Sequence, residues 1–198
     1  MYHPRYLLFF CLALFCSVNA QAKSYQIELI IFEHASDELA GDYAGVDGAL
    51  ATELDELISL DSRDDDLPSD RRYRKTRYSS LENMAKRIDR SERYRLLKHI
   101  AWVQPGIKRS RAKKIRIHSD TIAIDELGNS VYVLDGNVQV ALGRYLHLYT
   151  DFRLVTPGDD AFNSLVSHQL VNHRRMRSKQ IHYIDHPKIG IIANIIPL

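Results

Sequence analysis

The stretch from Val131 to Val155 alternates apolar and polar side chains over most of its length. A period of two is typical of a β-strand that buries one face. One continuous strand would place on one face Val138, Val140, Leu142, Leu146, Leu148, Phe152 and Leu154. It would place on the other face Gln139, Tyr145, His147, Tyr149, Asp151 and Arg153. The stretch therefore requires a sheet, and we expect it to form one long strand.

A hairpin is the alternative for the same stretch. Glycine suits the first central position of a two-residue type II′ turn, which would lie at Gly143-Arg144. That turn would pair Leu142 with Tyr145 and would set aromatic rings beside the valines. A single strand keeps the valines and leucines on one face, so we favour it.

Other segments also have the composition of strands, because β-branched and aromatic residues dominate them and turn residues bound them. The predicted strands are 25–32, 94–103, the alternating KKIRIHSD at 113–120, a strand or strand pair over 167–178 and 180–185, and the C-terminal segment 190–197.

Two segments in the N-terminal half have the period of a helix. The first places on one face Leu50, Leu54, Leu57 and Ile58. The second begins with a predicted capping box of Ser79 and Glu82, and its buried stripe is Leu81, Met84, Ala85 and Ile88. Between them, residues 61–78 carry dense charge and few apolar side chains, which predicts an exposed, mobile loop.

These elements predict a single α+β domain over residues 23–198, built on a largely antiparallel sheet with two helices near its N-terminal half. A ferredoxin-like core with additions fits this order of elements.

Residues 1–22 have the pattern of a secretory signal peptide. Arg5 lies in a short polar start, an apolar run follows from Tyr6 to Phe15, and Ala20-Gln21-Ala22 offers a cleavage site after Ala22. Val18-Asn19-Ala20 is a less typical site. The apolar run is well short of the roughly 20 residues that span a bilayer. We expect export to the periplasm of a Gram-negative cell, with no stable membrane anchor.

Cleavage would remove both cysteines, Cys11 and Cys16. The mature chain would then have no disulfide and no thiolate ligand, so its stability must come from a hydrophobic core. Lipoprotein processing is not expected, because Phe10 and Phe15 precede the two cysteines where a small residue is needed.

Basic residues are concentrated in two runs of the sequence. The first comprises Lys108, Arg109, Arg111, Lys113, Lys114 and Arg116, and the second Arg174, Arg175, Arg177 and Lys179. Such runs can neutralise phosphates, but export argues against a nucleic-acid partner. They are either solvated strand faces and loops or contacts for an anionic surface, such as cell-wall carboxylates, lipid head groups or an acidic protein patch.

No catalytic motif is complete. Ser110-Arg-Ala-Lys113 matches S-x-x-K, but Lys75-Thr76-Arg77 and Ser119-Asp120-Thr121 only approximate the motifs that accompany it. His182 and His186 would lie about 13 Å apart on an extended strand, which is too far for one metal ion. We therefore expect a protein that is not an enzyme and needs no metal or cofactor.

Four ordered stretches carry a resemblance to a known family. They are YQIELIIFEH after the predicted signal, LDGNVQVALGRYLHLYTDFRL at 134–154, RRMRS at 174–178 and IHYIDHPKIGIIANIIP at 181–197. With these the chain resembles the CsiV family, small periplasmic proteins that are described as peptidoglycan-binding and tied to cell-shape integrity. The segment 35–90 matches poorly.

The resemblance implies peptidoglycan binding that supports wall synthesis beside penicillin-binding synthases or their lipoprotein activators. It brings no catalytic residues. The matching positions include Met176, His182, Asp185 and Pro187 and the candidate ligand-binding residues Arg144, Tyr145, His147, Arg174, Arg175, Arg177, Tyr183 and His186. The alternative function is a protein–protein interaction module that regulates the synthases or activators without binding the wall directly.

Physical chemistry agrees with these residue types, because sugar faces stack on aromatic rings and carboxylates pair with arginine. The alternative is that Arg174 and Arg177 pair with Asp151 or Asp185 across strands and only stabilise the sheet. Met176 and Trp102 are expected in the core. Gly136 and Gly190 are expected where the backbone turns or packs closely.

Overall fold

The computed structural model describes residues 23–35, 57–60, 67–77, 80–158 and 164–198. Of these residues, 59% are in strands and 8% are helical. The strands are β1 Ser24–His34, β2 Leu57–Ile58, β3 Arg74–Lys75, β4 Tyr94–Pro105, β5 Lys114–His118, β6 Ile122–Ile124, β7 Ser130–Tyr132, β8 Leu134–Leu142, β9 Leu146–Pro157, β10 Leu165–Met176, β11 Ile181–Ile184 and β12 Ile189–Pro197. A helix, α1, spans Glu82–Asp89, and a 3-10 turn spans Arg109–Arg111.

The strands form two five-stranded sheets and a small ribbon. The first sheet has the order β11-β12-β1-β4-β3, the second has β10-β9-β8-β5-β2, and β6 pairs with β7. Neighbouring strands are antiparallel except for the short pair β2–β5. The two sheets enclose one apolar core, so the domain is a β-sandwich.

The core takes every second residue from each sheet, as the period of a strand requires. Ile27, Leu29 and Trp102 come from the first sheet, and Leu148 and Phe152 come from the second; all five are fully buried. A polar chain crosses this core, because Trp102 Nε1 donates to Gln104 Oε1 over 2.8 Å and Gln104 Nε2 donates to the Val140 carbonyl over 3.0 Å. The sheets are thus joined by packing and by hydrogen bonds.

Helix α1 covers the outer face of the first sheet. Its apolar stripe packs on the side of β1 that faces away from the sandwich core, in a cluster of Ile30, Phe32, Leu81, Ala85 and Ile88. This burial confirms the predicted stripe of the second helix.

The start of α1 is held by a residue of β1. Glu28 accepts hydrogen bonds from the Ser80 N–H, from the Ser80 hydroxyl at 2.8 Å and from the Leu81 N–H at 3.0 Å. His99 Nε2 lies 2.7 Å from the same carboxylate. Ser79 of the predicted capping box lies outside the described residues, and the Glu82 carboxylate bonds to Lys86 instead. A carboxylate far away in sequence therefore satisfies the free N–H groups at this helix start.

The α+β fold class with two helices is wrong. Leu57 and Ile58, which end the first predicted helix, form β2, while Leu50 and Leu54 lie outside the described residues. A ferredoxin-like core is one sheet with two helices on a face, whereas the described chain has two packed sheets and one helix. Burial decided the conformation of Leu57-Ile58, because their apolar side chains complete the edge of the second sheet.

The prediction of one long strand over 131–155 is also wrong. The chain turns through Gly143, Arg144 and Tyr145, and Leu142 pairs with Leu146 across the hairpin. With three residues in the turn, even-numbered residues of both strands point to the same face. These side chains therefore still share the buried face. Alternation alone cannot distinguish the two arrangements.

Other predicted strands are confirmed, namely β1, β4, β5, β10, β11 and β12. Part of the loop predicted at 61–78 is described, and it contains β3, which pairs with the edge of β4. Tyr73 in this segment is buried, and its hydroxyl accepts a hydrogen bond of 2.8 Å from the Lys113 N–H. The predicted signal peptide lies outside the described residues.

Candidate functional site

The outer face of the second sheet carries polar, aromatic and basic side chains. In the described part of the chain no helix or third sheet covers it. This surface, called the open face below, is formed by Gln139, His147, Tyr149, Asp151, Val171, His173 and Arg175. Val171 is 69% exposed in its middle.

Three rings pack side by side on the open face. Tyr149 and His173 are cross-strand partners of β9 and β10, and their rings are parallel within 5° with centroids 4.2 Å apart. The His147 ring lies 5.1 Å from that of His173, and His147 Nδ1 lies 2.9 Å from His173 Nε2. We call these three residues the ring strip. Two imidazole nitrogens at this distance share one proton, so at least one of the two rings is not doubly protonated.

Charge around the ring strip opposes protonation of His147. Desolvation lowers the pKa of His147, and the positive charges of His173, Arg175 and Arg109 lower it further. The open face therefore favours the neutral form of this imidazole, and the guanidinium groups of Arg175 and Arg109 supply positive charge beside it.

One end of the ring strip is bounded by the β8–β9 turn. The Arg175 guanidinium lies 4.7 Å from the centre of the Tyr145 ring, which is 43% exposed. Arg144 lies 5.6 Å from the same ring. This aromatic ring thus supports two arginines at the rim.

The other side is bounded by the 3-10 turn before β5. Arg109 in this turn lies 4.3 Å over the Tyr149 ring. Gln139 of β8 donates from Nε2 to the carbonyls of Arg109 and Ala112 over 3.3 and 2.8 Å, which fixes the turn to the sheet. A depression of about 430 Å³ lies between this turn and the ring strip, lined by residues that include Arg109, Lys114, Gln139, Tyr149 and His173.

The structure brings together four of the eight candidate residues, namely Arg144, Tyr145, His147 and Arg175. Arg174 precedes Arg175 on β10 and therefore points to the opposite side of the sheet. Arg177 follows the end of β10, and its N–H donates to His182 Nε2 over 3.1 Å.

Tyr183 lies in the other layer of the molecule. Its ring stacks 6.3 Å from Phe32, and its hydroxyl donates to Asp185 over 2.5 Å. Burial raises its pKa, as does the hydrogen bond to Asp185. Tyr183 lines an apolar groove beside α1 with Met84, Ile88, Tyr94, Ile181 and Ile192. It is thus separated from the open face by the sandwich core.

His186 also lies apart from the open face. It follows β11, and its Nδ1 accepts from the Lys188 N–H at 3.3 Å. Desolvation lowers its pKa. Within the described ranges, no three His, Cys, Asp or Glu residues are grouped to hold a metal ion.

The cross-strand ion pairs proposed for Arg174 and Arg177 are not formed among the described residues. Asp151 accepts from Gln169 Nε2 at 2.9 Å, and Asp185 accepts from the Tyr183 hydroxyl. Met176 and Trp102 are in the core, as predicted. Gly136 and Gly190 are closely packed, as predicted, against the Asp151 carbonyl and the Phe32 ring respectively.

Three residues of the site were missed by the choice of candidates: Arg109, Tyr149 and His173. Alternation had placed Tyr149 on the same face as His147, and His173 shares its parity with Arg175 on β10. The alternation of the strands was therefore sufficient to place Tyr149 and His173 on this face. Arg109 reaches Tyr149 only through the folding of a turn 40 residues away, which no local pattern indicates.

Comparison with known proteins gives one match. A family model described as peptidoglycan-binding protein CsiV matches residues 6–198, nearly the whole chain. No curated protein and no solved structure matches this chain. Among the described residues, no helix is long and apolar enough to cross a membrane.

Proposed function

This chain belongs to the CsiV family of peptidoglycan-binding proteins, and from this we propose that it works in the periplasm as a wall-binding protein without catalytic activity. Peptidoglycan binding would support cell-wall synthesis and cell shape. Export would depend on the signal peptide proposed for residues 1–22, with cleavage after Ala22. The absence of a complete catalytic motif in the sequence supports a binding role.

We assign the wall contact to the open face, and the observation that supports this assignment is its chemistry. Aromatic and imidazole rings lie between arginines at both sides, Arg175 on Tyr145 and Arg109 on Tyr149. Peptidoglycan is a polymer of sugars and carboxylate-bearing peptides, and it is large and flat on the scale of one domain. A sheet face that no described element covers, with cations at its sides, suits such a ligand better than a closed cavity does.

Pelleting with purified sacculi tests this assignment. We expect the wild-type protein to pellet at low salt, and Arg175→Gln combined with Tyr145→Ala to reduce the bound fraction about tenfold. Arg174→Gln is the matched control, because it removes the same charge from the neighbouring residue on the opposite side of β10. Failure of the wild type to pellet would refute wall binding, and equal losses in both variants would refute the assigned face.

A second candidate function is the binding of a protein of the synthesis machinery, such as a penicillin-binding synthase or its lipoprotein activator. The groove beside α1 favours it, because Ile181 and Tyr183 are 54% and 42% exposed there. In the described part of the chain, β11 is also an outer strand of its sheet. We propose that an extended partner segment with apolar side chains and an acidic flank adds to β11, with its acid facing Arg87 at the groove.

Site-specific cross-linking in cells tests the second function. A photo-reactive residue at Ile181 should capture a synthase or activator, identified by mass spectrometry, even after the wall is digested. The same residue at Val171 on the open face is the control and should not capture that protein. Capture only at Val171, or none from Ile181, would refute the groove as the docking place.

A further inference from the structure

Tyr149 is an exposed-face aromatic residue whose ring has no free side for a sugar. His173 comes from β10 and Arg109 from the turn that Gln139 holds against β8, and these two strands flank β9 on opposite sides. His173 therefore covers one side of the ring and Arg109 the other, at 4.2 and 4.3 Å from its centre. Sugar recognition by stacking needs an open ring face, and this ring does not supply one.

The same contacts fix the guanidinium of Arg109. Its Cζ lies 4.3 Å from the centre of the Tyr149 ring, and its backbone carbonyl accepts a hydrogen bond from Gln139 Nε2. A guanidinium held over a ring still has N–H groups at its edge that can donate to a ligand. The Arg109 side chain is therefore already ordered in the free protein, so it loses less conformational entropy when a ligand binds.

The surroundings of Arg109 are basic. The 3-10 turn and its flanks place Arg111 and Lys113 in exposed positions close to it, and Lys114 begins β5 beside Gln139. We call Arg109, Arg111, Lys113 and Lys114 the basic arc. Two carboxylates of the second sheet have other partners: Asp135 of β8 accepts from Arg116 at 3.0 and 3.1 Å, and Asp151 of the open face accepts from Gln169.

We infer that the basic arc, with Arg109 at its centre, is a carboxylate-binding site that recognises the stem peptides of peptidoglycan and not its glycan. This inference rests on the proposed wall binding and specifies its ligand. The planar fork of Arg109 can donate two hydrogen bonds to one carboxylate, and the neighbouring cations attract the anionic peptide. Tyr149 acts as a positioning residue for Arg109.

Sacculi with altered chemistry test the ligand class. The purified protein is pelleted with native sacculi and with sacculi whose carboxylates are converted to amides. Free stem peptides, and peptide-free glycan strands whose lactyl carboxylates are amidated, are added as soluble competitors. We expect amidation to weaken binding about tenfold or more, and only the stem peptides to displace the protein from native sacculi. Equal binding to native and amidated sacculi overturns the inference while leaving wall binding intact. Failure to bind native sacculi overturns both.

Matched variants test the residues. Arg109→Gln should weaken binding to native sacculi about tenfold. Its affinity for native and for amidated sacculi should then be almost the same. Arg93→Gln, an exposed arginine before β4, is the control for charge. Tyr149→Leu should resemble Arg109→Gln, whereas Tyr149→Phe, which keeps the stacking ring, should bind normally. A normal Tyr149→Leu refutes the positioning role.

Vesicles of phosphatidylglycerol distinguish a lipid surface from the wall. We expect Arg109→Gln to weaken vesicle binding by no more than about fivefold, as for any single cation near an anionic membrane. If Arg109→Gln abolishes vesicle binding and leaves sacculus binding unchanged, the basic arc serves a lipid phosphate and the inference is wrong.

Discussion

Single residues of this chain owe their roles to neighbours that the fold supplies. Arg174 and Arg175 have the same side chain and adjacent numbers, yet only Arg175 reaches the open face and the Tyr145 ring. His147 likewise differs from an isolated histidine because His173 and two arginines surround it. Residue type suggests what a side chain can bind, and its direction from the strand decides whether it does.

Histidines give one prediction at this scale, on stability and pH. Desolvation lowers the pKa of His147, His168 and His186 in the folded protein. The unfolded chain then binds protons more readily, so the stability from these groups is complete above the ordinary histidine pKa of about 6.5 and is lost as pH falls through it. We expect a lower Tm at pH 5.5 than at pH 7.5.

The double variant His168→Gln with His186→Gln identifies the histidines as the cause. Thermal unfolding of this variant should depend less on pH over the same interval, since two of the three groups no longer titrate. Carboxylates titrate mainly below about pH 5, so they contribute little to the pH dependence between pH 5.5 and 7.5. An unchanged dependence on pH in the variant would contradict the assignment.

At the scale of elements, α1 depends on a strand for its start. Glu28 accepts three hydrogen bonds from Ser80 and Leu81 and lies beside His99. Glu28→Gln should lower the free energy of unfolding by about 2–3 kcal/mol, because an amide offers one acceptor oxygen and turns its NH₂ group toward donors. Urea denaturation followed by circular dichroism measures the change.

Glu33→Gln is the matched control for Glu28→Gln. Glu33 pairs with Arg95, whose side chain is 50% exposed, and such a pair contributes less than about 1 kcal/mol. Losses of equal size in the two variants would show that Glu28 does not anchor the helix.

The β8–β9 hairpin gives a second prediction at the scale of elements. A Cβ at Gly136 would lie 2.2 Å from the Asp151 carbonyl oxygen, which is backbone of the paired strand and has no room to move aside. Gly136→Ala should therefore cost about 1–3 kcal/mol of unfolding free energy. Gly143→Ala in the turn meets nothing closer than 4.0 Å and should cost less than about 0.5 kcal/mol. Urea denaturation of the two variants tests this prediction, and equal midpoints would contradict the close packing at Gly136.

At the scale of the whole molecule, the two sheets share one core and should unfold together. Trp102, the single tryptophan of the sequence, is fully buried between them and reports on this core by fluorescence. We expect fluorescence and far-ultraviolet circular dichroism to give coincident urea transitions. Separate transitions would mean that one sheet persists without the other.

Gln104 connects the sheets, and its replacement tests that connection. Gln104→Leu leaves the Trp102 Nε1–H and the Val140 carbonyl without this partner in the core, so we expect a loss of about 2 kcal/mol. Gln169→Leu on the exposed part of β10 makes the same change of side chain and should cost less than about 1 kcal/mol. A smaller effect for Gln104 than for Gln169 would contradict the role of the polar bridge.

The sequence by itself determined most of the long strands and which of their side chains share a face. Alternation in 134–154 identified the buried set that includes Leu148 and Phe152, because a period of two survives any turn that preserves parity. The four family stretches also identified the family, which the match over residues 6–198 confirms. His147 of the open face and Tyr145 at its rim were among the candidates for this reason.

Only the tertiary structure decided how the strands divide into two sheets, where the hairpin turns and which cations meet the rings. Leu57 and Ile58 have helical spacing in sequence but complete a sheet edge, because burial outweighs local periodicity in so short a segment. Arg109 meets Tyr149, and Glu28 meets Ser80, across 40 and 52 residues. Such contacts depend on packing between distant segments, and local patterns carry no record of them.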